Sequence, residues 1–510
     1  MTSATPASPV RRRWLSSVAI PLLAVLAFAC WAFASPVGAS PDDDFHLVST
    51  WCGGASSQEL CGQGESSDER LVSPDLISNA TCYVVDPELS ADCQRFADDL
   101  DQNPSPTERG NFDGLYPPVF YFVMSAFAGH DLQSSALVMR VANSVLYVGL
   151  VTLLFFLLPL RRRATLVASI AVTVVPLGMF LIPSNNPSSW ALLSAGTLWI
   201  ALLGYFESTG RRRIALGAVA LVSTVIGAGA RADSAIYVGV AVAAVLVLTA
   251  RRTRSFALAC VLPAVLGIIA VVSFLGAGQT GAASTGLAGP GGAGYSTYTL
   301  VVRNALDLPW LLTGPFGTWK LGWLDTAMPA IVPFAVLAAL GAVVLVGLRQ
   351  RDRRKTVAAL VVLALVVAVP MYLLYKSDAL VGQQVQPRYI LPLIIMLVGI
   401  VLLRVDDRPL RITGMSTWLV VAALAVANSV ALHTNLRRYV TGTDVGGGNL
   451  DFKAEWWWTL PVSPMGVWAV GSLAFAATVF WLGLLLLRHA RSTLPLEPAL
   501  APVGRRDSLV

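Results

Sequence analysis

An all-α, polytopic membrane protein with about twelve transmembrane helices is the fold class this sequence predicts, and three observations predict it. Of 510 residues, 55% are hydrophobic and only 13% are charged, against roughly 25% charged in a soluble domain. Mean hydropathy is +0.65. The apolar residues fall into separate runs of about 20, the length a helix needs to cross a hydrocarbon layer of roughly 30 Å, with none of the alternation of barrel strands. The arginine-rich clusters at 11–13, 161–163, 211–213, 251–254 and 349–355 lie in short loops between those runs. When the runs are threaded alternately, every cluster falls on one side, as the retention of positive charge in the cytoplasm requires.

The runs lie at 14–34, 135–160, 164–182, 188–206, 214–229, 234–248, 256–275, 327–348, 356–375, 389–403, 416–432 and 465–487. The first follows three arginines and ends near FASPVGAS, but it is long for a signal core of about 7 to 15 residues, so a retained span is expected. The organisation is then a cytoplasmic tail (1–13), a first span (14–34), an extracytoplasmic loop carrying short helices (35–134), an eleven-helix region (135–487) and a second cytoplasmic tail (488–510). The chain is thus expected as a multi-pass protein of the cell membrane with both termini inside. The segments 183–187, 230–233, 276–326, 376–388 and 433–464 then face outward with the first loop. YPPVFYFVMSAFAG, from Tyr116, is too short to span and is expected at the outer interface. The glycine-rich stretch after residue 276 reads as a flap. The fourteen tryptophans, Trp456, Trp457 and Trp458 among them, read as an interfacial belt.

The net charge of +6 is accounted for by the orienting clusters, and no basic domain or aromatic-interleaved patch supports nucleic-acid binding. Cys52, Cys61, Cys82 and Cys93 share one polar segment without a CxxC pair, which favours extracytoplasmic disulfides over zinc. Three pairings of four cysteines are open. Cys30 and Cys260 lie in apolar runs as packing residues.

Ionisable groups at membrane depth are functional candidates by default. Asp42, Asp43, Asp44 and His46 follow the first span directly. Adjacent carboxylates repel one another, which raises the proton affinity of at least one toward that of a general base, with His46 as a further proton acceptor. Arg388, beside Tyr389 and four residues after Gln384, is a cation on the side that orientation leaves poor in cations. A guanidinium there suits bidentate binding of a phosphate whose lipid tail lies in the bilayer. Arg231 and Asp233 either pair across a tight turn or join the site. Asn185 and Asn186 suit capping of the following helix or sugar hydroxyls. Arg140 and Asn143 share a helix face inside the bundle and need partners, for which the external carboxylates are candidates. Adjacent carboxylates can also hold magnesium or manganese, although no ligand spacing compels it.

PDDDFHL resembles the Pro-Asp-Glu-x-x-His-Phe signature of a bacterial family of predicted integral membrane proteins without assigned function, usually grouped with the GT-C glycosyltransferases. Asp42 matches its Asp, Asp43 replaces its Glu and His46 matches its His. YPPVFYF at 116–122, MRVANSV at 139–145 and QPRYILP at 386–392 are similar to its other motifs in the same order, with Pro387 where the family has glycine. The resemblance implies a GT-C-like fold with an acidic residue of the first outer loop as base or metal ligand. It also implies a polyprenyl-phosphate-linked sugar as donor and a cell-envelope glycan or lipid-linked molecule as acceptor. On this reading Asp42, Asp43 and His46 are catalytic, and Arg388, Tyr389, Gln384, Arg140, Asn143, Asn185, Asn186, Arg231 and Asp233 bind substrate. A transporter or flippase of lipid-linked glycans, or a noncatalytic cell-wall assembly protein, shares the topology.

Overall fold

The computed structural model describes residues 9–54, 60–84, 86–96, 100, 103–281, 285–287, 294–405 and 413–492, with backbone alone for 9–17 and 489–492. The chain is built from helices: α1 Pro9–Phe33, α2 Asp43–Trp51, α3 Val119–Ser125, α4 Leu132–Leu157, α5 Leu160–Thr173, α6 Leu177–Leu181, α7 Ser188–Glu207, α8 Gly210–Ala228, α9 Ala232–Thr249, α10 Arg254–Ala259, α11 Val261–Leu275, α12 Thr297–Thr313, α13 Ile331–Leu348, α14 Arg353–Lys376, α15 Pro387–Val401, α16 Gly414–Val440 and α17 Pro464–Ser492.

Among the described residues, eight of these elements are long and apolar enough to cross a membrane: α4, α7, α9, the α10–α11 pair, α13, α14, α16 and α17. The other four expected spans are also helical. α1 is apolar over Val18–Phe33 and α15 over Pro387–Val401, both shorter than the eight. α8 opens on Arg211, Arg212 and Arg213. The run at 164–182 is broken between α5 and α6, where Pro176 lacks the amide hydrogen a continuous helix needs. α7 is buried along most of its length and packs against α4, α8, α9 and α15. A helix apolar all round belongs in such a central position.

Helix ends gather into two groups. At one end Arg162 pairs with Glu207 at 2.5 Å and donates to the Arg404 carbonyl at 2.7 Å. Lys355 Nζ donates to the carbonyls of Gly347, Gln350 and Leu403 at 2.9–3.0 Å. Cations suit these sites, because the last carbonyls of a helix lack partners and carry its negative dipole end.

At the opposite end lies the first long loop. Besides α2, α3 and two single 3₁₀ turns at Pro74–Leu76 and Ala91–Cys93, it holds a small antiparallel sheet. Its strands are β1 Gly62–Gln63, β2 Arg70–Val72 and β3 Ser105–Thr107, in the order β1-β2-β3. Disulfides join Cys52 to Cys61 and Cys82 to Cys93, the sequential pairing among the three that were open.

One expectation changes, the tryptophan belt, and two other segments gain detail. Phe120 and Tyr121 of the YPPVFYF piece are buried, and only one side of α3, with Phe122 and Val123, is exposed. The cause is docking: the backbone amides of Val119 and Phe120 donate to the Gly229 carbonyl at the end of α8. Trp457 and Trp458 are likewise buried rather than belt residues, Trp458 donating to the Phe33 carbonyl at 2.8 Å. The expected flap (276–299) leads into a 17-residue helix, α12, and Gly278 and Gln279 near its start are tied by their amides to Gly114 and Leu115. Residues 282–284 and 288–293 of the expected flap lie outside the described residues.

Candidate functional site

The geometry starts from an irregular stretch, residues 34–42, between α1 and α2. Gly38 takes φ +79°, and a Cβ there would lie 2.2 Å from the Ala80 carbonyl oxygen, so glycine is required. Asp42 also has positive φ, 63°, at the start of α2. Aspartate is among the few residues that adopt this region with modest strain. The Pro41 carbonyl accepts from Arg388 Nη1 at 3.1 Å and from Asn186 Nδ2 at 2.8 Å, which fixes the peptide immediately before Asp42.

The three aspartates diverge from that point. The Asp42 side chain is 40% exposed and its Oδ2 accepts from Arg388 Nη2 at 2.5 Å, while the Arg388 side chain is 3% exposed. Arg109 lies 3.8 Å from the other oxygen of Asp42. Burial works against ionisation of Asp42, but the guanidiniums of Arg388 and Arg109 outweigh it and hold the carboxyl below the usual carboxylate range. Asp43 points the other way and is fully buried. Its oxygens accept from the backbone amide and hydroxyl of Ser40. Burial pushes its pKa up to about 6, against the lowering effect of Arg140 and those hydrogen bonds. Asp44 is held by the forked guanidinium of Arg109.

His46 is fully buried. Its Nδ1 pairs with the Tyr121 hydroxyl at 2.8 Å, and its Nε2 has no hydrogen-bond partner. Burial first, and then the nearby Arg388, Arg231 and Arg109, drive its pKa well below the ordinary histidine value against the pull of Asp42, so the ring is neutral at neutral pH. Tyr116 stands edge-on to it, ring centroids 5.3 Å apart.

α15 supplies Arg388 because Pro387 fills its first helical position, where a missing amide hydrogen costs nothing. Pro387 also lies against Gly314, where a Cβ would meet the proline ring at 2.4 Å. The guanidiniums of Arg388 and Arg231 both lie 5.1 Å from the Tyr389 ring centroid, a cation–π arrangement. The Tyr389 hydroxyl accepts from Arg388 at 3.2 Å, and its carbonyl accepts from Tyr237 at 2.5 Å. Arg231 grips Asp233 with two bonds of 2.9 and 3.0 Å, so the tight-turn ion pair is present and also borders the cluster.

Asp42, His46, Arg388, Tyr389, Arg231 and Asp233 are therefore brought together from positions as far as 347 residues apart. Asn186 touches this group through Pro41 and caps α7, its Oδ1 accepting from the Ser188 amide at 2.9 Å. Arg140 and Asn143 do not join it. Arg140 pairs not with a carboxylate, as expected, but with the carbonyls of Ala32, Ser35 and Pro36 at 3.0, 2.5 and 2.7 Å. The end of α1 leaves these acceptors unpaired, and they lie closer than any carboxylate. Asn143 bridges the Ser184 carbonyl and Trp190. Asn185 is buried with neither amide atom hydrogen-bonded, and Gln384 Oε1 is likewise buried and unpartnered.

Sequence reasoning missed Arg109, Tyr116 as a ring beside His46, and Tyr121. The YPPVFYF piece signalled the two tyrosines, but nothing in the loop around Arg109 marks it. A second buried pair also went unnoticed: Arg438 and Asp325 at 2.8 Å. Arg438 also donates to the carbonyls of Leu89 and Tyr83, pinning the first loop to the end of α16.

Among the described residues, no group of three or more His, Cys, Asp and Glu side chains is placed to hold a metal ion. An apolar cavity of about 180 Å³ lies away from the cluster, between α1, α4, α5 and α17, lined by Phe28, Tyr147, Phe155 and Leu482 among others. A cavity of about 20 Å³ lies beside Arg388, bordered by Pro41, Lys320, Gln386 and Arg388.

The family described as predicted membrane protein (DUF2142) matches residues 25–397. That interval covers well over half of the chain and every residue of the Asp42–Arg388 cluster, and the chain belongs to this family. No curated protein matches the sequence significantly.

Proposed function

We propose that this member of the DUF2142 family of predicted membrane proteins is a glycosyltransferase of the GT-C type. It transfers a sugar from a polyprenyl-phosphate donor to a glycan or lipid-linked acceptor of the cell envelope at the outer face of the cell membrane. On this proposal the chain threads the bilayer twelve times with both termini cytoplasmic, the Asp42 end of the bundle lies outside, and 35–134 forms the extracytoplasmic subdomain. A donor with a lipid tail reaches such a site through the bilayer, and among the described residues the only sheet is the small β1-β2-β3 one.

The observation that carries the reading is the pair of Asp42 and Arg388: a partly exposed carboxylate and a buried guanidinium meeting where a span begins. In the reaction, the acceptor hydroxyl oxygen forms a bond to the anomeric carbon and its proton passes to the Asp42 carboxylate. The bond from the anomeric carbon to the phosphate oxygen breaks, and the electron pair leaves with that oxygen as polyprenyl phosphate. The donor is a phosphodiester with one negative charge, whereas the leaving monoester gains a second. A fixed guanidinium such as Arg388 therefore binds the departing group more strongly than the bound donor, which is the condition for catalysis. Asp43 is too deeply buried to touch an acceptor and serves to hold Ser40. Neutral His46 shapes the floor with Tyr121. In this structure Asp42, Asp43 and Asp44 each have their own partners, Arg388, Ser40 and Arg109.

The test is lipid-linked glycan profiling in a deletion strain carrying membrane-inserted Asp42→Asn or Arg388→Gln. Both variants are expected to leave the same glycan precursor accumulating as the deletion does. Full restoration of the wild-type profile by Asp42→Asn would sink the proposed mechanism.

A further inference from the structure

Two guanidiniums converge on one carboxylate. Arg388 reaches Asp42 Oδ2 at 2.5 Å, and Arg109, whose fork also holds Asp44, stands 3.8 Å from Oδ1. Arg388 does not depend on Asp42 for its position, because Nη1 is bonded to the Pro41 carbonyl and the head group lies over Tyr389. Its Nε is buried without a partner, leaving donor capacity unused. Asp42 itself is the least buried of the two members of that pair, so its carboxylate is the part able to leave. Two oxygens presented to two guanidiniums are also what a phosphate presents. The cavity of about 20 Å³ bordered by Pro41, Lys320 and Arg388 admits roughly one water, too little for a phosphate.

We propose that the Asp42 carboxylate is a removable stand-in for phosphate: the lipid phosphate of the donor takes its seat between Arg388 and Arg109, and the displaced Asp42 becomes the free proton acceptor. The inference rests on the lipid-phosphate reading above and adds two things to it, a second phosphate-holding residue, Arg109, and an order of events. Separated from Arg388, Asp42 loses the interaction that keeps it a weak base, so it gains proton affinity only once donor is bound. Acceptor activation without donor, which would waste the site on stray hydroxyls, is thereby suppressed.

The experiment is binding of farnesyl phosphate to the full-length protein in nanodiscs, measured by calorimetry. Asp42→Asn removes the competing charge and keeps a side chain that tolerates positive φ; it is expected to bind about tenfold more tightly than wild type. Arg109→Gln, at an exposed side chain, is expected to bind about tenfold more weakly. Inorganic phosphate should displace the probe, and farnesol should not. If wild type binds but Asp42→Asn binds equally or less tightly, or if Arg109→Gln is unchanged, the stand-in is refuted while a phosphate site remains. If wild type binds no farnesyl phosphate, or farnesol alone displaces it, the lipid-phosphate reading falls as well.

Discussion

Asp42 and Asp43 are adjacent in sequence and opposite in circumstance. Asp42 faces two guanidiniums and a partly open surface, so it stays ionised. Asp43 faces Ser40 inside the protein, and its raised pKa comes from burial, with repulsion from Asp44 the smallest contribution. The expectation that three neighbouring carboxylates would shift one another was right about one of them and wrong about the main cause. The difference has a measurable sign. A carboxyl near 3.8 in the unfolded chain and about 6 in the folded one holds its proton longer when folded, so stability falls as pH rises from about 4 to 6 and stays lower above that. Asp43→Asn is therefore expected to raise the thermal midpoint in detergent at pH 7–8, by the equivalent of ~1–3 kcal/mol, with the gain vanishing below about pH 4. A variant that gained nothing at pH 8 relative to pH 4 would contradict the assignment. Arg388 was legible because a cation at the end opposite the arginine-rich loops breaks the charge bias. Arg109 was not, because one arginine in a polar loop breaks no pattern.

At the scale of elements, the stretch from the end of α1 to α2 is held by side chains rather than by a ladder of its own. Its carbonyls accept from Arg140, from Trp458 and Asn435 at Phe33 and Ala34, from Tyr83 and Gln94 at Val37, and from Trp323 at Gly38. Arg388 and Asn186 complete the set at Pro41. Irregular backbone at the edge of a membrane is tolerated when protein supplies such partners. Arg140 alone satisfies three carbonyls, so Arg140→Leu, which keeps the bulk and removes every donor, is expected to destabilise the fold by ~2–5 kcal/mol. A fall in the detergent melting temperature, or loss of monodisperse protein, is the readout. An unchanged melt would show that water replaces the guanidinium. The pairing of Arg140 and Asn143 on one helix face followed from their spacing of three. Their partners did not, because the carbonyls that Arg140 meets lie 104 to 108 residues away and the Ser184 and Trp190 groups that Asn143 meets lie 41 and 47 away, and such distances carry no sequence signal.

For the molecule as a whole, the helices run so that the candidate site and the arginine-rich loops occupy opposite ends, and the proposed orientation is open to direct measurement. On a Cys30→Ser, Cys260→Ser background, Gly446→Cys is expected to react with an impermeant maleimide in intact cells. Arg252→Cys should react only after permeabilisation. The reverse pattern would invert the topology and place the Asp42 cluster in the cytoplasm. Sequence alone determined that this is a helical membrane protein, roughly where its helices lie, which end collects the arginines, and that the acidic run after the first helix is unusual. These follow from composition and local periodicity, since the cost of burying charge or an unpaired backbone in lipid acts on each segment separately. Only the tertiary structure decided that Asp42 and not Asp43 meets Arg388, that Arg109 stands within 4 Å of Asp42, that Arg140 serves carbonyls, and which cysteines pair. Each of those depends on distances between segments far apart in the chain, set by how irregular loops pack over the end of the bundle, where hydrogen-bond geometry rather than hydrophobic pattern selects the partner.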